Sequence, residues 1–161
     1  MNNHHNIFTE FPPISRDDIF VIFERRKTQF NFPVHVHPED EINFITGAAG
    51  AVRVVGDSVE EVTDMEMVLI TGSNLEHTWK NGEDFEGKDI YEVTIQFSPE
   101  LLGIEGLLNK THFAPIRKMF QDGQNGIAFS EMATRQCSAI IQQILASKDG
   151  FHSFLLFLSL L

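Results

Sequence analysis

The order of polar and apolar positions divides the chain in two. From Ile19 to Phe97, apolar residues alternate with polar ones or fall in short runs, with turn residues recurring about every eight to twelve positions. Strands are predicted at 19–26, 34–37, 41–46, 51–55, 58–63, 66–71, 76–80 and 89–97. Gly47 to Gly50 and Gly56-Asp57 mark hairpins. No helical period intervenes, so the pattern predicts an antiparallel sandwich or barrel rather than an α/β fold.

The pattern changes at Ser98-Pro99-Glu100, where a Ser N-cap, a Pro and an acidic first turn predict a helix start. Gly103 and Gly106 keep that helix short. A second short helix is predicted at 113–120 and a small extended piece at 126–129. Ser130 then caps a long helix to about 147, with Ala133, Cys137, Ile140, Ile141, Ile144 and Leu145 at helical spacing. Its other side carries Arg135, Gln142 and Gln143. Residues 151–161 carry no charge and need cover. The chain therefore divides into an arm at 1–18, a β-barrel at 19–98 and a helical segment at 99–161.

Composition narrows the function classes. The 161 residues are 42% hydrophobic, enough for one domain with a real core. Most of the fifteen Phe are expected inside. A net charge of −11 argues against direct contact with nucleic-acid phosphates. The basic run Arg25-Arg26-Lys27 follows Glu24 and reads as a solvated strand end. Cys137 is the single cysteine, so no internal disulfide forms. Residues 1–6 lack the regions of a signal peptide, and no apolar run reaches membrane length. A cytoplasmic protein without a membrane partner is the expectation.

The chemistry lies in four side chains. Alternation puts His35 and His37 on one strand face, and a turn at Pro38 can return Glu41 beside them. With His77 they form a ligand set suited to a first-row transition metal, Zn, Ni, Fe or Mn. The same groups can line a metal-free pocket for a sugar or acid. Asn43 and Trp79 fall beside them as ligand-binding candidates. Glu39, Asp40 and Glu92 are candidate bases, read as solvated strand-end charges. His112 and His152 lie in the helical part and are assigned no site role.

The run His35-x-His37-x-x-x-Glu41, with His77-x-x-x-Asn81, resembles the two motifs of the cupin superfamily, which implies a double-stranded β-helix (jelly roll). The first motif there supplies two His and a Glu and the second the last His, roles that fall on His35, His37, Glu41 and His77. Gln29, Glu66, Gly72 and Asn74 stand where the motifs carry Gly, Gly, Pro and Gly, and Gly47 comes one residue early.

Residues 35–42, 47–57, 67–70 and 74–79, followed by Pro99 to Leu102, Phe113 to Ile116, Gly126-Ile127 and Phe154 to Leu156, resemble the N-terminal sensor domain of AraC-type transcriptional regulators. The resemblance implies a non-enzyme that binds a small-molecule effector in the barrel, with or without a metal. It also implies a homodimer through 130–161, with Ile140 and Ile144 buried between copies. DNA is contacted in that family by a C-terminal helix-turn-helix pair, which is missing within residues 1–161. The alternative is a stand-alone metal-dependent cupin enzyme of the dioxygenase or isomerase class.

Overall fold

Polar and apolar alternation is converted into two five-stranded sheets packed face to face. The computed structural model describes residues 7–71, 74–87, 89–98 and 109–161. One sheet has the order β1 (Phe8–Thr9), β3 (His35–Val36), β8 (His77–Asn81), β5 (Ala51–Val55) and β6 (Ser58–Glu61). The other has the order β10 (Ile127–Ala128), β7 (Glu66–Ile70), β4 (Asp40–Thr46), β9 (Ile90–Phe97) and β2 (Phe20–Lys27). Among the described residues only the β1–β3 pairing is parallel. This is the predicted jelly roll, mainly β, with helices after it. Pro99 and Glu100 of the helix start, with Gly103 and Gly106, the motif position Gly72, and residues 1–6 lie outside the described residues.

A 3-10 turn (Thr111–Phe113) leads into α1 (Ala114–Asp122). Next, α2 (Glu131–Ala146) starts where the Ser130 hydroxyl accepts a hydrogen bond from the Ala133 amide, at 3.3 Å. The last helix, α3 (Gly150–Leu160), starts where the Asp149 carboxylate accepts one from the His152 amide, at 2.7 Å. Ser147, whose amide bonds the Gln143 and Ile144 carbonyls, ends the previous helix two residues earlier.

These helices explain why β4 and β9 are buried on both faces. Outward from the second sheet, Ile42, Phe44, Val93, Ile95 and Phe97 pack against Ile141, Ile144, Phe157 and Leu160. Each fully buried side chain of this size contributes about 1.5–3 kcal/mol. Inward, Ile45, Val68, Ile70, Trp79 and Ile90 form a second core inside the barrel. Ile144 is only 3% exposed and belongs to the first core, so it packs on its own barrel rather than on a second copy, which corrects its expected place at a dimer face.

Two turns show how the motif scaffolding is replaced. Gly47 has φ +70°, and a Cβ there would sit 2.6 Å from the Asp89 carbonyl oxygen, so no other residue fits. Asn74 stands where the cupin pattern expects Gly and takes φ 55°, a left-handed conformation Asn tolerates.

Candidate functional site

The strand register assembles the site. β3 and β8 pair through His35 opposite His77, and their rings lie 4.0 Å apart between centroids. His37, one residue past the end of β3, brings its ring to 4.9 Å from His77 and 5.8 Å from His35. β4 then supplies Glu41, whose Oε2 lies 3.2 Å from His37 Nε2. On the neighbouring strand Gln96 is directly opposite Glu41, and Thr94 opposite Asn43.

All three imidazoles are anchored in the same way. His35 Nδ1 donates to the Pro33 carbonyl at 3.0 Å, His37 Nδ1 to Glu39 at 2.8 Å and His77 Nδ1 to Leu75 at 2.8 Å. A carbonyl only accepts, so each Nδ1 carries the hydrogen, and a neutral ring keeps its lone pair on Nε2. The three lone pairs therefore converge. One nitrogen from each ring lies within 4.8 Å of the others. His77 Nε2 is buried without a hydrogen-bond partner. Backbone anchoring of one ring nitrogen while the other points at a common spot is how proteins orient metal-ligating histidines. By this test the residues fit a divalent cation.

Charge in the site is divided unevenly. Burial is the largest influence on Glu41 and raises its pKa, but the His37 hydrogen bond, the charges of His77 and His37 and the Gln96 amide together hold it at about 2. Burial pulls His77 to about 4, against the attraction of Glu41. Burial also works to lower His37, yet the hydrogen bond and charge of Glu41 outweigh it and raise its pKa. Of these two rings His37 holds a proton the more readily, because Glu41 lies directly against its Nε2. Glu10 is also present: Glu10, His37 and Glu41 form a second group of ligand atoms within 4.8 Å. Gln96 Nε2 donates to Glu41 Oε2 at 3.0 Å and to Glu10 Oε2 at 3.1 Å.

A cavity of about 280 Å³ opens beside these groups. His35, Glu41, Asn43 and Gln96 line its inner part together with Thr94, and Phe30, Phe32 and Trp79 give it aromatic walls. His37 and His77 lie behind this lining. Asn43 donates to Glu41 at 3.4 Å or Thr94 at 3.4 Å, while its side-chain oxygen is buried without a partner. Trp79 donates its indole N–H to Glu66 Oε1 at 2.7 Å, and Arg53 holds the other oxygen of Glu66 at 2.6 Å. Glu66, at a motif position where Gly is expected, therefore fixes the Trp79 ring.

All six candidate residues from the sequence lie in this region, although Glu41 joins the imidazoles through His37 rather than sharing one close group with all three. Two readings need correction. Lys27 is not part of a solvated strand end: it is half-buried at the cavity, with Nζ 2.8 Å from Glu92 Oε1, whereas Arg25 stays exposed at the cavity rim. Only Arg26 points away, toward Asp89 at 3.3 Å. Glu92 (5% exposed) and Asp40 (2% exposed) are buried, not solvated. Most of the Phe lie inside as expected; the exposed ones are Phe8, Phe11 and Phe32, in the arm and beside the cavity, and Phe151.

Glu10, Gln96 and Thr94 were missed. For Glu92, Thr94 and Gln96 a signal existed, because they alternate strictly with Val93, Ile95 and Phe97. That pattern is normally read as a wet face, but here the polar face points into the barrel. Glu10 carried no signal, being a lone acid in an irregular arm.

No family model matches the sequence, and no curated protein matches it. Among solved structures, unsaturated fatty acid bound wild-type ToxT from Vibrio cholerae strain SCE256 aligns with a TM-score of 0.56 and 14% identity, over 86% of this chain and 51% of that one. A second structure of ToxT from Vibrio cholerae aligns with a TM-score of 0.50 and 10% identity, over 77% of this chain and 48% of that one. The chain thus spans about half the length of the ToxT chains it matches. The likeness establishes the fold they share, a jelly roll followed by helices.

Proposed function

We propose that this chain is the effector-sensing and dimerisation domain of an AraC-type regulator, binding a small molecule in the barrel cavity beside a divalent cation. His35, His37, His77 and Glu41 hold the cation. It supplies a fixed positive centre for oxygen donors of the effector at the inner end of the cavity. Phe30, Phe32 and Trp79 pack on the apolar part of the effector, and Asn43 offers an acceptor. DNA contact belongs to a helix-turn-helix half outside these residues. The observation that carries the reading is the convergence of three backbone-anchored imidazoles on one buried point beside a cavity. ToxT, a regulator of the AraC family, shares the fold and has been solved with an unsaturated fatty acid, which supports an organic effector here. A binding role is favoured over catalysis because Glu92, the one candidate base lining the cavity, is engaged by Lys27 and Arg25.

Trp79 is the only tryptophan and lines the cavity, so its fluorescence reports occupancy. Oleate, a neutral polyol and a primary amine would each be titrated into tag-free protein, with and without Zn²⁺. A saturable change with one of them, lost in Asn43→Ala, is expected. Flat titrations with all three would overturn the effector reading. Elemental analysis showing less than about one-tenth of a metal per chain, with no Zn²⁺-dependent rise in Tm, would remove the cation.

A further inference from the structure

The site contains more negative and lone-pair density than the four motif residues bring. Glu10 Oε2 lies 3.7 Å from His35 Nε2. His35 Nδ1 is held by the Pro33 carbonyl, which leaves Nε2 as the ring atom that faces the Glu10 carboxylate. Glu10 and Glu41 also converge on a single donor group, the side-chain amide of Gln96. Glu10, His37 and Glu41 also offer ligand atoms that all lie within 4.8 Å of one another, and His37 belongs at the same time to the group formed with His35 and His77, so the carboxylate of Glu10 adjoins the imidazole cluster.

Little else holds the segment that carries Glu10. β1 meets β3 through two residue pairs, and the Glu10 amide adds one bond to the Val36 carbonyl at 2.9 Å. Phe8 leans edge-on against Phe32, and both rings remain about half exposed, at 49% and 46%. The arm is thus joined to the barrel by a short bridge, a surface ring contact and a carboxylate that reaches the buried imidazoles.

We infer that Glu10 is a further ligand of the cation held by His35, His37, His77 and Glu41, so that a bound divalent ion fastens the N-terminal arm to the wall of the effector cavity. This rests on the cation part of the proposed function and extends it from holding an effector to ordering a segment of chain.

The test uses the full chain, stripped with chelator, and Zn²⁺ alone as the probe. Zn²⁺ affinity is measured by competition with a chromophoric chelator for the natural protein, for Glu10→Gln, and for Glu60→Gln on the exposed β6 as a control. Hydrogen exchange of the amides at 8–11 is followed with and without Zn²⁺. The expected result is Zn²⁺-dependent slowing of arm exchange by at least about ten-fold. Glu10→Gln should abolish this slowing and weaken Zn²⁺ binding about ten-fold or more, with the Glu60 variant unchanged. Equal affinity in the natural and Glu10→Gln proteins, or arm exchange that Zn²⁺ leaves unaltered, overturns this inference and leaves the four-residue cation site standing. Failure of the natural protein to bind Zn²⁺ overturns both.

Discussion

At the residue scale the site is a set of side chains whose charge states oppose one another, and this makes it sensitive to acid. The folded chain keeps His77 neutral down to about pH 4, whereas the unfolded chain protonates it near 6.5. Its contribution to stability is complete above pH 6.5 and is lost as pH falls from 6.5 to 4. Glu41 loses its contribution lower, between 4.5 and about 2. His37 has the opposite sign: its raised pKa stabilises the fold fully below 6.5, and that contribution fades as pH rises through the folded value. Urea unfolding of metal-free protein at pH 7 and pH 5 should therefore show His77→Gln losing less stability than the natural chain, by about 2 kcal/mol. An equal loss in both would show that His77 binds its proton equally in the folded and unfolded chain and that burial does not depress its pKa. Glu66 gives a second expectation. Glu66→Ala strands Arg53 and the Trp79 indole N–H together, at a cost of about 3 kcal/mol or more in the same assay, with a red-shifted Trp79 emission.

The residues legible in the sequence were those whose spacing is itself chemistry. His35 and His37 two apart on a strand, with Glu41 after a turn, announce convergence before any fold is known. Glu66 and Glu10 could not be read that way. The role of Glu66 depends on Trp79, thirteen residues on, and that of Glu10 on a cross-barrel partner, Gln96, eighty-six residues on.

At the element scale, the informative strands are β4 and β9, whose alternation is real but whose two faces are both dry. Period-two patterning says that Val93, Ile95 and Phe97 lie on one face and Glu92, Thr94 and Gln96 on the other. It cannot say which face meets water, because that depends on whether helices later in the chain cover the apolar side. They do: Phe157 is fully buried, stacked on Phe20 at 4.7 Å and edge-on to Phe97 at 4.9 Å. The apolar face goes under the helices, and the polar face is left inside the barrel, where Glu92, Thr94 and Gln96 line the cavity. Phe157→Ala should cost about 3–5 kcal/mol of unfolding free energy. Because the second sheet carries Glu41, Asn43 and Gln96, it should also loosen the site, seen as weaker Zn²⁺ binding. A loss below about 1 kcal/mol would mean that α3 is not the cover. The same packing limits what α2 can offer a second copy, since Ile141 and Ile144 are spent on the barrel.

At the scale of the whole molecule, what remains exposed decides how copies meet. With Ile144 in the core, the apolar residues that α2 and α3 still present are Met132 (71% exposed), Phe151 (71%) and Leu155 (45%). Phe151 and Leu155 are four residues apart, one turn of α3, and therefore share a face. This is a small patch, and a dimer built on it must recruit polar surface around it to reach the area of a stable interface. Association through residues 130–161 should therefore be dependent on concentration, visible as a mass that rises from one chain toward two across the micromolar range in light scattering. The double substitution Phe151→Glu, Leu155→Glu should hold the mass at one chain, and because both side chains are exposed it should leave the melting temperature within about 2 °C of the natural value. A mass of two that survives the double substitution would move the interface elsewhere, most simply to the exposed aromatics around the arm. Arm fastening and self-association would then involve the same surface, and Zn²⁺ would alter the dimer as well as the arm.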